Sequence, residues 1–191
     1  MNNHLLLLNR IKEIRNNFNY FLNKRYLDEI NNAYLIMYSA LKKKKKIFFC
    51  GNGGSAADSQ HITAEFLGKY LLKKRRPYSA ISLNNNSSVI TSISNDDSFV
   101  NIFSRQIEGL AQKGDVLFAI TTSGKSKNIL KAINVAKSLR LETICLTKES
   151  VKKKIKCSQV IGVPANRVDR IQELHIVACH LLCELIEESL R

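Results

Sequence analysis

From residue 46 onward, short apolar runs alternate with amphipathic stretches, and few folds are compatible with that rhythm. The apolar runs Ile47–Cys50, Tyr78–Leu83, Val116–Ile120, Thr143–Leu146 and Val160–Val163 have the length and content of buried strands. Helical periodicity occupies the stretches between or after them, at about 55–70, 87–93, 98–111, 126–139 and 168–190. Strand–helix alternation of this kind predicts an α/β fold, a parallel sheet covered on both sides by helices. In such sheets ligands bind at the carboxyl ends of strands, where loops feed helix N-termini. The first part of the chain is different. Residues 4–42 are helical in period with a break near 23–28, and Ile30, Ala33, Tyr34, Met37 and Leu41 form one apolar face. We therefore expect a single domain over 1–191, with a helical region at 1–46 and an α/β sandwich at 47–191; 191 residues can bury one good core.

The chain carries 30 basic against 16 acidic residues, a net charge of +14. A positive surface can bind nucleic acid or steer anionic substrates. Lys42–Lys46 fall where a helix should end, which suits cations opposing its dipole. Lys152–Lys154 read as surface, and there is neither aromatic interleaving nor zinc-finger spacing, so no nucleic-acid partner is expected. No apolar run approaches spanning length, and Leu5–Leu8 is too short for a signal-peptide core. Five cysteines without a C-x-x-C pair, mostly in apolar segments, read as reduced core residues. The expectation is a cytoplasmic protein with no membrane contact.

Chemistry concentrates in three places. The run Cys50-Gly51-Asn52-Gly53-Gly54-Ser55 follows the first strand, so backbone can approach a ligand closely and Ser55 is placed to cap the next helix. Free N–H groups there attract phosphate. His61 and Glu65, four residues apart, share a face of that helix. The spacing Gly51-x-Gly53-x-x-Ala56 satisfies a dinucleotide fingerprint, but the acid that would hold a ribose is missing where the second strand ends at Ser82-Leu83-Asn84. Gly124-Lys125-Ser126 resembles the end of a Walker A loop, but the required earlier glycine is Ala119. Neither NAD nor ATP is supported. The loop Thr121-Thr122-Ser123-Gly124-Lys125-Ser126 instead offers hydroxyls and helix-terminal amides, a neutral phosphate nest or simply a capping loop. In the last helix, Gln172 and His180 are about 80° apart on an ideal helix, an imperfect convergence. From periodicity, His180 is as readily a hydrogen-bonded core histidine as a functional one, and Cys179 and Cys183 read as core packing.

Several collinear motifs together resemble one family. Gly51-Asn52-Gly53-Gly54-Ser55-Ala56-Ala57-Asp58, Gln60-His61, Glu65, Asn95-Asp96, Phe103-Ser104-Arg105-Gln106, Gly114-Asp115-Val116-Leu117, Thr122-Ser123-Gly124-Lys125-Ser126 and Arg170-Ile171-Gln172-Glu173-Leu174-His175 look like the sedoheptulose 7-phosphate (phosphoheptose) isomerases of the sugar-isomerase (SIS) domain superfamily. The resemblance implies a five-stranded parallel sheet in a helical sandwich, flavodoxin-like or Rossmann-like, with N-terminal helices for oligomerisation into a homotetramer with interfacial active sites. It implies interconversion of sedoheptulose 7-phosphate and D-glycero-D-manno-heptose 7-phosphate, the first step of heptose nucleotide synthesis for lipopolysaccharide or capsule. Carried over by position, Glu65 is the general base and His180 the general acid. His61, Glu65, Gln172 and His180 are ligands of one zinc per subunit. Asn52, Gly53, Gly54, Ser55, Glu65, Asn95, Asp96, Thr121, Thr122, Ser123, Ser126 and Gln172 contact the sugar phosphate, and Asp169 supports the site.

These residue types suit aldose–ketose isomerisation, which needs a base to move a proton between adjacent carbons and an acid at the oxygens. A His, His, Glu, Gln set is a plausible N/O zinc site, although a glutamate held tightly by zinc is a poorer base. Three departures stand out: Lys69 where the family usually has Arg, Thr121 where it has Ser, and Lys148-Glu149-Ser150 in place of a Gly-rich turn. The first keeps charge but loses bidentate geometry; the last implies a rebuilt surface loop. Two alternatives share the resemblance: a non-enzymatic SIS binding module of the replication-initiator-binding type, and an isomerase for another sugar phosphate.

Overall fold

The structure, a computed structural model, describes residues 3–191. Seven α-helices and five strands follow the order α1 (Asn3–Phe21), α2 (Lys24–Lys42), β1 (Ile47–Gly51), α3 (Gly54–Leu67), β2 (Ala80–Ser82), α4 (Ser87–Asp96), α5 (Ser104–Leu110), β3 (Val116–Ile120), α6 (Lys127–Ser138), β4 (Glu142–Lys148), β5 (Gln159–Val163) and α7 (Val168–Ser189). All neighbouring strands pair in parallel, in the order β2-β1-β3-β4-β5. The expected α/β fold with a five-stranded parallel sheet is therefore the one found.

Alternation along the strands builds two cores. Phe49 and Phe118 face a layer formed by α2, α3 and α7, whereas Phe48 and Leu117 face α5 and α6. Both faces are covered, so β1 and β3 are buried at every position, as their unbroken apolar runs require. The strand order reverses direction between β1 and β3, which opens a crevice above their carboxyl ends. At the opposite end Asp115 ties the two strands together. One of its carboxylate oxygens accepts from the Lys46 amide at 2.9 Å, and the other from the Gln112 amide at 2.8 Å.

Two expected elements differ. The helix anticipated over 98–111 is broken into a 3-10 turn at Phe99–Asn101 and the short α5, because the Ser98 hydroxyl accepts from the Val100 amide and stops the chain from continuing α4. The second strand shrinks to an edge strand, Ala80–Ser82, because the Tyr78 amide is taken by the Phe66 carbonyl. The Lys148-Glu149-Ser150 segment does form a rebuilt turn, a 3-10 stretch over Glu149–Lys154. Glu149 pairs with Arg25, and Lys152 with the buried Glu29, so α2 anchors it.

The buried histidine of α7 is His175, not His180. Its ring is fully enclosed, neither nitrogen has a strict hydrogen-bond partner, and burial pushes its pKa down to about 3. The unfolded chain takes up this proton near pH 6.5, whereas the folded chain refuses it until about pH 3. Stability from this site is therefore complete above pH 6.5 and is lost as the pH falls towards 3, at about 1.4 kcal/mol per pH unit. Urea titrations at pH 7 and pH 5 should show wild type losing more stability on acidification than His175→Leu. Equal losses would exclude a neutral buried His175.

Candidate active site

The two strand-to-helix loops start side by side, since Gly51 ends β1 opposite Ile120 at the end of β3. Gly53 takes φ +57°, which turns the chain so that α3 begins at Gly54. Ser55 consequently lies inside the first turn and is not the cap; Gly53 is the N-cap and offers no side chain. Ser126 precedes α6 and likewise makes no capping bond. Neither N-cap residue covers its helix end with a side chain, although the Ser55 and Ala56 amides turn to the Asn52 and Gly53 carbonyls and the Ile129 amide to the Asn128 side chain; what the two adjacent ends offer an anion is the positive end of each helix dipole.

The loops are locked to each other. Asn52 and Asn128 exchange amide hydrogen bonds in both directions, each at 2.9 Å. Thr121 is buried; its hydroxyl accepts from the Gly124 amide at 3.2 Å and lies 3.5 Å from the Ser126 hydroxyl. Ser123 accepts from the Lys125 amide at 3.2 Å. Gly124 has φ +63°, and a Cβ there would come within 2.8 Å of Val151. The Thr121–Ser126 loop is thus backed by the rebuilt turn after β4.

Asn84 occupies the position where a dinucleotide site would carry its acid, and its role is structural. Its Oδ1 accepts from the Gly51 amide at 3.2 Å and the Ser59 hydroxyl at 2.9 Å, while its Nδ2 donates to the Gly51 carbonyl at 2.9 Å. Asn84→Ala should cost about 1–3 kcal/mol, because the buried Gly51 N–H and C=O both lose their partner. Thermal denaturation measures this; an unchanged midpoint would show that the brace carries nothing.

On the next turn of α3 the acid–base candidates converge. His61 Nε2 lies 3.0 Å from His180 Nε2 and 3.7 Å from Glu65 Oε1. His180 is half-buried, and its imidazole stacks on Tyr70 with ring centroids 5.8 Å apart. Burial, reinforced by the neighbouring His61, holds the His180 pKa below its ordinary value. Asp58, one turn before His61, has one carboxylate oxygen buried without a partner, and burial raises its pKa to about 6.

Among the described residues no group of three His, Cys, Asp or Glu side chains has the arrangement of a formed metal site. The donor spacings are nonetheless suggestive. Ligand atoms on a shared tetrahedral zinc stand about 3.4 Å apart, between the two separations that His61 makes with His180 and Glu65. Each of these two separations is within a few tenths of an ångström of that spacing, so an imidazole and a carboxylate beside His61 have the donor chemistry to share a zinc ion with it. Gln172 lies elsewhere, packed against the N-terminus of α3, where a Cβ on Gly54 would collide with its amide.

Not every expected residue joins the group. Asn95 donates to Asp96 at 2.8 Å and Asp96 accepts from Ser92 at 3.3 Å; at the far end of α4, neither bonds to either loop. Asp169 is engaged with Arg167 and Arg170. Lys69 is exposed beyond α3. Sequence reasoning missed Asn84, Asn128 and Arg75. Asn128 opens a helix beside a Ser/Thr loop, which was a usable signal; the other two carried none.

A parallel sheet with paired helix-terminal loops at its topological switch and a His/Glu cluster above them defines a doubly wound α/β protein with a crevice suited to an anionic ligand. A model of the SIS domain matches residues 11–148, and the chain belongs to the SIS domain family. Its relatives include phosphoheptose isomerases from Nitratiruptor sp., 50% identical over 84% of this chain and 86% of the relative, and from Clostridium acetobutylicum, 45% identical over 87% and 85%. Among solved structures, phosphoheptose isomerases from Francisella tularensis (TM-score 0.92, 30% identity, 98% of this chain and 100% of that one) and Neisseria gonorrhoeae (0.88, 32%, 97% and 98%) superpose along nearly the whole length.

Proposed function

We propose that this chain is an aldose–ketose isomerase that interconverts sedoheptulose 7-phosphate and D-glycero-D-manno-heptose 7-phosphate. The observation that carries the reading is the convergence of Glu65 and His61 on α3 with His180 on α7, about two to three turns along α3 from its phosphate-attracting end. The identity to phosphoheptose isomerases over most of the chain supports the same substrate class.

In this reading the positive N-terminal ends of α3 and α6, with Ser55, Thr122, Ser123 and Ser126, hold the phosphate end of the sugar. Glu65 removes the proton from the carbon next to the carbonyl and returns it to the neighbouring carbon. His180, whose charged form burial and the neighbouring His61 disfavour, donates a proton to the oxygen on which negative charge develops and takes it back as the enediol collapses. His61, Glu65 and His180 are the residues that would hold one zinc per subunit, with Gln172 placed instead at the α3 end of the crevice, and the ion when bound supplies Lewis-acid stabilisation of the enediolate oxygen.

The molecule acts as a homotetramer in the cytoplasm, in the first step of heptose nucleotide synthesis for lipopolysaccharide or capsule. Supporting the assembly, α1 exposes Leu5, Leu7, Leu8 and Ile11. An interfacial site also accounts for Asn95 and Asp96, which would reach a neighbouring protomer's crevice. Among the described residues no helix is long and apolar enough to cross a membrane. The test is conversion of sedoheptulose 7-phosphate by purified protein with and without added zinc. Zinc-enhanced aldose formation supports the proposal; a folded, zinc-supplied protein without turnover would redirect it to another sugar phosphate or to a binding module.

A further inference from the structure

A single buried ion pair lies behind both members of the acid–base pair. Arg75 and Glu187 have side chains 5% and 2% exposed, with Nε 2.5 Å from Oε1. Burying two charges is costly unless both are well hydrogen-bonded, and here every nitrogen of the guanidinium and both oxygens of the carboxylate have a partner. The Glu187 carboxylate accepts three successive amides of the segment that leaves α3: Tyr70 at 3.3 Å, Leu71 at 2.7 Å and Leu72 at 2.9 Å. The Arg75 guanidinium donates to the Phe66 carbonyl at 2.9 Å and to the Glu65 carbonyl, acceptors left over in the last turn of α3. Its flat face lies 4.3 Å from the Tyr78 ring centroid.

The clamp ends on catalytic candidates in two directions. Through the Glu65 carbonyl it fixes the backbone from which the candidate base projects. Through the Tyr70 amide it fixes the ring that stacks on His180, at 25° between planes. Glu187 itself follows His180 by seven residues, about two turns, and so lies on nearly the same stripe of α7. His180 is thereby gripped between Tyr70 on one side and His61 on the other.

We propose that Arg75 and Glu187 are positioning residues for the isomerisation, setting Glu65 through the end of α3 and His180 through Tyr70. Tyr70 is the contact piece, and its role lies in the aromatic face, since its hydroxyl makes no hydrogen bond among the described residues. This inference rests on the isomerase reading, and the experiment separates the two.

The chain has four histidines, so ring-carbon-labelled histidine gives a simple NMR spectrum in which His180→Gln assigns the His180 signal. In the full-length protein, Tyr70→Leu should move that signal by removing the ring current, Tyr70→Phe should leave it in place, and Glu187→Gln should move it as Tyr70→Leu does. In parallel, Tyr70→Leu and Glu187→Gln should lower kcat about ten- to a hundredfold with KM within about twofold, while Tyr70→Phe stays within about twofold of wild type, since small misplacements of reacting groups act on the chemical step. A His180 signal unmoved in Tyr70→Leu or Glu187→Gln overturns the proposal. So does a kcat that falls only in proportion to the folded fraction measured by urea titration. If Glu187→Gln does not fold, the Tyr70 pair decides alone. Failure of wild type to convert sedoheptulose 7-phosphate would sink the isomerase reading, while the NMR comparison would still decide whether the clamp sets His180.

Discussion

Glu65→Gln is expected to lower kcat by about 10²- to 10⁴-fold while leaving the fold intact, the range by which a positioned general base accelerates proton transfer. The substitution keeps shape and removes the ability to accept a proton from carbon. Glu65 is partly exposed, its side chain lies 3.7 Å from His61, and its own turn is held through the backbone by Arg75. The amide therefore has the same space to occupy, and unfolding should be unaffected. His180→Gln should fall by a similar factor, since the imidazole is the only titrating group stacked between Tyr70 and His61. The decisive comparison is deuterium exchange from solvent into recovered sugar. An active base washes label into the carbon beside the carbonyl, so Glu65→Gln should lose exchange and turnover together. Retained exchange in that variant would remove Glu65 from the base role and leave it as a metal ligand.

Gly51→Ala has the second large effect, and it acts through space alone. A Cβ at Gly51 would meet Ser55 within 2.7 Å at its own Cβ and closer still at its carbonyl, which belongs to the first turn of α3. Backbone cannot give way as a flexible side chain can, so the turn must move. That movement also strains the Asn84 brace and the Asn52–Asn128 amide pair. We expect a loss of about 1–3 kcal/mol from overpacking. Displacing the loop by about 1 Å should further cost about 10²-fold in kcat/KM. Gly109→Ala is the control, because nothing lies within 4 Å of a Cβ there. Wild-type kinetics in Gly51→Ala would show that the loop amides do not hold the substrate.

The same loop shows what local pattern can and cannot reveal. The apolar run Ile47–Cys50 followed by glycines identified a strand ending in a close-approach turn, and β1 ends at Gly51 as that pattern requires. The start of α3 was misjudged because capping was assigned to Ser55 on residue type. The positive φ of Gly53 settles it instead, and no periodicity registers that angle. In α7 the helix itself was legible from spacing, yet two histidines five residues apart received opposite environments. His175 faces the sheet and is stripped of water, while His180 faces α3 and meets His61.

The order of strands and helices, and most of the elements themselves, were determined by the sequence alone, because hydrophobic period is a local property: apolar runs specify strands, and His61 and Glu65 share a face through helix geometry. Those features needed no knowledge of the rest of the chain. What the tertiary structure decided is every pairing across distance. His61 meets His180 over 119 residues, Arg75 meets Glu187 over 112, Asn52 meets Asn128 over 76, and Asn84 returns to Gly51 over 33. Each contact depends on which face of a helix packs on the sheet and at what rotation, and that is settled by the combined burial of two cores rather than by any segment's own preference.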